Sequence, residues 1–204
     1  YILKEAKSPI EIEMQKNEVQ LSQIQVDAFN SSKTLSKVDL SKIPVNSAQD
    51  LLRKVPGLFI AQHAGGGKAE QIFLRGFDND HGTDIAITAD GIPVNMVSHA
   101  HGQGYADLHF IIPETVKDID FGKGAYYADK GDLNTSGYVN FTTLDHLDHN
   151  LFKVEGGSFD SWRTVAMLNL LNNHEQNKYA YAAGEFNYSN GPFDIKQNFS
   201  RVNL

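Results

Sequence analysis

The sequence contains no cysteine. That count excludes disulfide scaffolds, thiolate metal centres and cysteine nucleophiles. Proline is scarce, at 6 of 204 residues, while 17 glycines supply turns, the balance of a folded chain rather than a disordered or collagen-like one. Positive charge is in deficit: 18 Lys and Arg face 25 Asp and Glu, a net charge of -7, and no segment concentrates the basic residues. Nucleic acid is excluded as a partner on that ground. No apolar run approaches the ~18 residues of a membrane-spanning helix, the longest being short pieces such as Phe110-Ile111-Ile112. The absence says nothing against a transmembrane β-barrel, whose alternating strands barely register in hydropathy. The chain opens at Tyr1 with neither an initiator Met nor a charged-then-apolar leader, and it reads as a piece of a longer protein.

What is present falls into four textures. Residues 1–15 contain the alternation Ile10, Ile12, Met14 against Glu11 and Glu13, the period of a half-buried strand, read as the last strand of a preceding domain. Residues 16–42 are polar and rich in Ser, Gln and Asn, with one apolar island at Ile24-Gln25-Val26, the composition of a weakly ordered linker. Residues 43–145 form an α+β unit. Asn46 or Ser47 caps a helix with Asp50 in its first turn and Arg53 and Lys54 in its last, and Pro56-Gly57 stops it. Short strands follow at Leu58 to Ala61, Gln71 to Arg75, Ile85 to Thr88, Val116 to Phe121 and Gly137 to Thr143, with a tight turn at Asp90-Gly91. From residue 146 to 204 the chain turns to long alternating segments joined by polar turns. Trp162, Thr164, Ala166, Leu168 and Leu170 share one face and Arg163 and Asn169 the other. The segments approach the ~10 residues of a tilted membrane strand, and Trp162 and Tyr188 lie near strand ends, where an aromatic girdle would be. A soluble antiparallel meander has the same alternation.

The runs Asp50-Leu51-Leu52-Arg53-Lys54-Val55-Pro56-Gly57-Leu58, Ile72-Phe73-Leu74-Arg75-Gly76-Phe77 and Thr88-Ala89-Asp90-Gly91-Ile92-Pro93-Val94-Asn95 occur in a fixed order. Ile112-Pro113-Glu114, Val116 to Gly124 and Ser136 to Thr143 continue it. This ordered set resembles the plug domain of TonB-dependent outer-membrane receptors, and the sequence from Leu151 onward resembles the first strands of the surrounding barrel. The resemblance implies an α+β plug domain, a small mixed sheet with short helices, followed by antiparallel strands of an incomplete transmembrane β-barrel in the outer membrane of a Gram-negative bacterium. It implies uptake of a scarce nutrient, a small molecule or a metal chelate such as a siderophore or haem. The partners it implies are outer-membrane lipid and TonB with its inner-membrane energising complex. Ile24, Gln25, Val26, Asp27 and Ala28 resemble the TonB box, which pairs with TonB as an added strand. Arg75, Glu114 and Lys123 are expected at the contact between plug and barrel, Arg75 buried against acidic barrel residues. Where the family carries Arg-Gly-Pro, this chain has Lys123-Gly124-Ala125, a point charge in place of a planar fork.

Five of the eight histidines fall between residues 63 and 109. The family pattern turns the loops holding His63, Lys68, Asp80, His81, Met96, His99 and His101 toward substrate. Imidazole, carboxylate and thioether all ligate transition metals, and on a strand His99 and His101 would share a face, making them the candidate metal ligands. Plain polar loop residues are the other reading of the same histidines, and His109, ahead of Phe110 and Ile111, reads as a packed residue. No cofactor is expected. No enzyme is expected either, because Ser158, Asp160 and Ser161 join no histidine in a nucleophile motif and Gly156-Gly157-Ser158 lacks the elbow pattern. A soluble histidine-rich metal-binding β-protein, a metalloenzyme built on the histidines, and a carbohydrate receptor are the competing functions.

Overall fold

A computed structural model of the chain describes residues 33–36, 45, 47–61, 69–79, 84–99, 105–131, 134–192, 194 and 198–204. All lie in the unit Ser31–Leu204. The strand expected within residues 1–15 and the TonB-box segment Ile24 to Ala28 lie outside the described residues.

The plug begins with β1 (Lys33–Ser36) and helix α1 (Ala48–Leu52). Ser47 sits in extended backbone before α1 and its Oγ accepts the Asp50 N–H at 3.2 Å, satisfying one of the free donors at the helix start. The helix buries Ala48, Leu51 and Leu52 and ends at Leu52, so the basic residues expected in its last turn fall beyond it: Arg53 is the C-cap. Val55 supplies the next apolar contact to the same core, and the chain then turns at Gly57 (φ +83) into β2 (Leu58–Ala61).

Two sheets cover this core. The smaller is an antiparallel meander of β2, β3 (Gln71–Leu74) and β4 (Phe77–Asn79), burying Leu58, Ile60, Ile72 and Leu74 on one face. The larger has the order β1-β7-β8-β5-β6, where β5 is Ile85–Ala89, β6 Ile92–Pro93, β7 Val116–Lys123 and β8 Gly137–Thr143. Only β5 and β8 run parallel. Ile85, Ile87, Ile119, Phe121, Val139 and Phe141 form its buried face, each at most 1% exposed. Asp90 and Gly91 both take positive φ between β5 and β6, the geometry of a tight hairpin turn. The Asp90 carboxylate accepts the Thr143 N–H and Oγ1 at 2.8 Å, pinning the hairpin to β8. Asn95 extends the β5 ladder with its side chain, accepting from Ile87 N at 2.7 Å and donating to Ile85 O at 2.9 Å.

A four-stranded antiparallel sheet follows, in the order β12-β11-β10-β9, with β9 Leu151–Gly157, β10 Ser161–Asn173, β11 Lys178–Ser189 and β12 Phe199–Asn203. The 13 residues of β10 extend about 43 Å, which at a tilt near 45° covers about 30 Å, the thickness of a bilayer's hydrocarbon core. Phe152, Val154, Trp162, Leu168, Leu170, Phe186 and Val202 are exposed on one face, and Trp162 lies directly across from Tyr188. The opposite face carries Arg163, Val165, Met167 and Glu185, all buried. The architecture is therefore a plug followed by the first strands of a partial barrel.

Two features depart from the sequence reading. Residues 16–42 read as a linker, yet Lys33–Ser36 pair with Asp118 to Phe121 as an edge strand; the open ladder of β7 supplies the bonds that a polar tetrapeptide cannot advertise by hydropathy. β4, β6 and β12 were not foreseen, being short strands held by neighbours rather than by their own pattern. Arg75 stands in the β3–β4 turn with φ +54 and is exposed in a chain that carries only the first strands of the wall against which it is expected to pair. A turn of two positive-φ residues, Arg75 and Gly76, projects its first side chain away from the sheet's core.

Gly137 marks the tightest approach in the large sheet. A Cβ there would meet the Gly122 carbonyl oxygen at 2.3 Å and Lys123 Cα at 3.2 Å, both backbone atoms that cannot rotate aside. Gly137→Ala is expected to destabilise this unit by at least about 2 kcal/mol, read as a lower melting temperature of the purified protein and faster amide exchange in β7 and β8.

Candidate functional site

The inward face of β9–β12 meets the plug at a short turn. Ile112-Pro113-Glu114-Thr115 begins a 3-10 turn whose Ile112 carbonyl accepts both the Thr115 N–H, at 3.0 Å, and its Oγ1, at 2.7 Å. Proline in the first position presets the backbone. Ile112 packs with Leu147, Val165 and Met167, an apolar floor shared by plug and strands. Above it Glu114 points at β10. Arg163 Nη1 and Nη2 donate to the two Glu114 oxygens at 2.7 and 2.6 Å, a bidentate fork. Arg163 Nε donates to Glu185 of β11 at 2.6 Å, and Nη1 also reaches Glu155 of β9 at 2.8 Å. Lys153 bridges Glu114 at 3.2 Å and Glu155 at 2.8 Å, and Arg201 of β12 donates to Glu185 at 3.0 Å.

Among the described residues the cluster is balanced: Glu114, Glu155 and Glu185 against Lys153, Arg163 and Arg201, three charges of each sign. Balance matters because the Arg163 side chain is 4% exposed and that of Glu185 0%, where an unpaired charge would cost several kcal/mol. At Glu114, burial alone would raise the carboxyl's pKa, and the hydrogen bonds and charge of Arg163 more than reverse that, holding it below its ordinary range.

A second polar group lies inside the plug. His109 Nδ1 stands 2.6 Å from Asp107 Oδ1, which also accepts the His109 N–H at 2.8 Å, while Nε2 faces Glu70 Oε1 at 3.8 Å. The Ala69 N–H donates to Tyr105 Oη at 2.8 Å, and the Tyr105 ring stacks on His99 with centroids 4.4 Å apart and planes 13° apart. Met96 is exposed and exchanges backbone hydrogen bonds with Tyr105. Met96, Tyr105 and Asp107 border a cavity of about 640 Å³ between the β5–β6 hairpin and the inner face of β11, lined also by Ile92, Phe110 and Tyr181.

Of the residues expected to face substrate, Met96 and His99 are thus brought together at Tyr105, while His63, Lys68, Asp80, His81 and His101 lie outside the described residues. Among the described residues no group of three His, Asp or Glu side chains is placed to hold a metal ion. Of those expected at the plug and barrel contact, Glu114 meets β10, Arg75 is exposed in its turn, and the Lys123 ammonium lies over Gly57 within the plug. Sequence reasoning did not pair Arg163 with Glu155, Glu185, Lys153 and Arg201. The available signal was charge at inward positions of otherwise apolar alternating strands, where a lone charge is too costly to stand without partners.

A profile of the family described as TonB-dependent Receptor Plug Domain matches residues 25–138, more than half of the chain. Among solved structures, the chain is similar to the ferric yersiniabactin uptake receptor FyuA from Yersinia pestis, at 24% identity and a TM-score of 0.52 over 78% of this chain and 24% of that one. It is also similar to the pyoverdine outer membrane receptor FpvA from Pseudomonas aeruginosa, at 16% identity and a TM-score of 0.58 over 78% of this chain and 22% of that one. The ferric enterobactin receptor PfeA of Pseudomonas aeruginosa gives 17% identity and a TM-score of 0.55, over 78% and 25%. The chain thus spans about a quarter of the length of the receptors it matches.

Removing one member of the Arg163 cluster should cost more than the cluster's net worth, because the others stay buried. Arg163→Ala is expected to destabilise the plug against the strands by about 3 to 5 kcal/mol, and Glu114→Gln, which keeps the shape and a neutral acceptor, by about 1 to 3. Amide exchange of the 112–117 peptide in the full-length receptor reads both. Since the Glu114 pKa is lowered on folding, its contribution is present above the ordinary glutamate value of about 4.5 and is lost as pH falls through the folded value. Wild type should loosen in that acid range, and Glu114→Gln should not show this step.

Proposed function

The chain belongs to the TonB-dependent receptor family, and from that premise we propose that it forms the plug and first barrel wall of an outer-membrane importer for metal chelates of the siderophore class. The observation that carries the membrane placement is the two-faced character of β9–β12. In water the outward face would expose Phe152, Val154, Trp162, Leu168, Leu170, Phe186 and Val202 together, a patch that soluble proteins avoid. In lipid the same face is the favourable one, with the Trp162 and Tyr188 pair at its edge. An importer needs a stopper that stays seated yet can be released, and the Glu114 and Arg163 pair ties the plug to the wall within a neutral cluster.

The substrate class is supported by the similar receptors, which are receptors for ferric yersiniabactin, pyoverdine and ferric enterobactin, and by the ring platform of His99 on Tyr105 beside the exposed Met96. His63, Lys68, Asp80, His81 and His101 complete the proposed ligand-facing set. Ile24 to Ala28 serve as the TonB box. TonB, pairing there as an added strand, would pull on the segment that leads through β1 into the plug. The enzyme alternatives have no support in a receptor family.

Two measurements test the reading in the full-length receptor. Val26→Pro removes a backbone donor and fixes φ, so it should abolish uptake of a bound iron chelate while leaving its affinity unchanged; normal transport would exclude the box. Titration calorimetry with iron siderophores, haem, zinc and copper should show that a His99→Ala/His101→Ala double variant binds at least about tenfold more weakly. Neutral imidazole is the ligating form, so affinity should fall below pH ~6.5. Equal affinities and a flat profile between pH 5 and 7.5 would remove the histidines from the site.

A further inference from the structure

The group around His109 has a proton count that its geometry fixes. Asp107 Oδ1 accepts from the His109 main-chain N–H and sits 2.6 Å from Nδ1, so Nδ1 carries a hydrogen and donates it. Nε2 then faces Glu70 Oε1 at 3.8 Å with side chains 13% and 8% exposed. If both Nε2 and the carboxylate lacked a proton, two lone pairs would confront each other in a poorly solvated space. One proton between them, on the ring or on the carboxyl, turns that repulsion into a hydrogen bond or an ion pair. The two carboxylates lie on opposite ring nitrogens, so no single point is shared by all three groups as a metal would require.

Position gives the proton a task. Glu70 follows Ala69, whose N–H is held by Tyr105, and His109 closes the segment that begins at Tyr105. Tyr105 in turn carries the His99 ring. Two struts therefore join the start of β3 to the 105–109 segment, one from Ala69 to Tyr105 and one from Glu70 to His109. We propose that Glu70 and His109 act as positioning residues that share one proton, and that this proton holds the His99–Tyr105 platform in place against β3. The platform's ligand-facing role rests on the function proposed above; the strut itself does not.

The surroundings agree. Burial raises the Glu70 carboxyl, opposed by the His109 charge, while for His109 the loss of solvation is outweighed by the Asp107 hydrogen bond and the Glu70 and Asp107 charges, which raise it. Asp107 is lowered despite its burial by its bonds to His109. Among the described residues the other groups facing this set are Gln49 of α1, whose side-chain hydrogen bond to Glu70 favours the carboxylate, and Arg201 of β12, whose charge opposes protonation of His109. A histidine whose pKa is raised on folding contributes stability that is fully present below its unfolded value of about 6.5 and is lost as pH rises through the folded value. The strut therefore slackens on the alkaline side.

Hydrogen exchange by mass spectrometry on the full-length receptor without ligand tests this through the Ala69 and His109 amides, both of which donate within the group. After division by the intrinsic rate, protection of peptides 69–72 and 105–110 should be constant at the acid end of pH 5.5 to 8.5. From the unfolded value of about 6.5 upward it should fall, by up to about tenfold per unit, the slope of one lost proton, and level off past the folded value. Glu70→Gln replaces the shared proton by a fixed amide N–H that can donate to a neutral Nε2, so its protection should vary less than about threefold across the range. Flat protection in wild type, or a Glu70→Gln profile with the wild-type slope, overturns the proposal. Because no ligand is used, a failure of the substrate reading would show only in the His99→Ala/His101→Ala titration.

Discussion

A guanidinium with 4% of its side chain exposed stays charged at neutral pH, and so it must be surrounded by carboxylates or not be buried at all. Arg163 meets that requirement from three directions: Glu155 and Glu185 come from its own sheet and Glu114 from the plug. The sheet alone would leave Arg163 with two carboxylates and Lys153 and Arg201 to balance them, a net positive group facing a void. Glu114 neutralises it. The plug is thus bound to the wall by the cost of leaving the wall's own charges uncompensated, which makes the contact strong when seated.

The rest of the plug can be traced back to holding that side chain in place. Pro113 presets the turn, Ile112 packs into the floor made by Val165, Met167 and Leu147, and Leu144 N–H donates to the Thr115 carbonyl at 2.8 Å. β7 leaves this turn directly, pairs with β8, and so carries the position of Glu114 into the large sheet. β1, the first described strand after the proposed TonB box, rides on the outer edge of the same β7. Force applied before β1 would therefore meet the strand that begins at the Glu114 turn, with four residues of pairing between them.

The polar set at Glu70, Asp107 and His109 differs from the Arg163 cluster in kind. Arginine keeps its charge throughout the physiological range, so the Arg163 contact answers to acid only through the carboxylates. Histidine titrates within that range, so the inner strut answers to mild alkali. One contact seats the plug; the other stiffens the ring platform inside it. They meet at Arg201, which bonds Glu185 and lies in the field of Asp107 and His109.

The sequence by itself determined the elements whose signals are local. Ser47 three residues before Asp50, Pro56-Gly57 after Val55, Asp90-Gly91 between apolar runs, and the alternation from Trp162 to Leu170 each state a helix start, a stop, a hairpin or a two-faced strand within a few residues, because capping, φ preference and side-chain period act over that distance. Glu114 was expected at the plug and barrel contact through the ordered motifs around it, but nothing local named Arg163 as its partner. Only the tertiary structure decided the partners. Glu114 and Arg163 are 49 residues apart, Ala69 and Tyr105 36, and Lys33–Ser36 form a strand only because β7 offers an open edge. Pairing of buried charge and completion of a sheet edge depend on what a fold brings within about 3 Å, and no local preference in a chain encodes that distance.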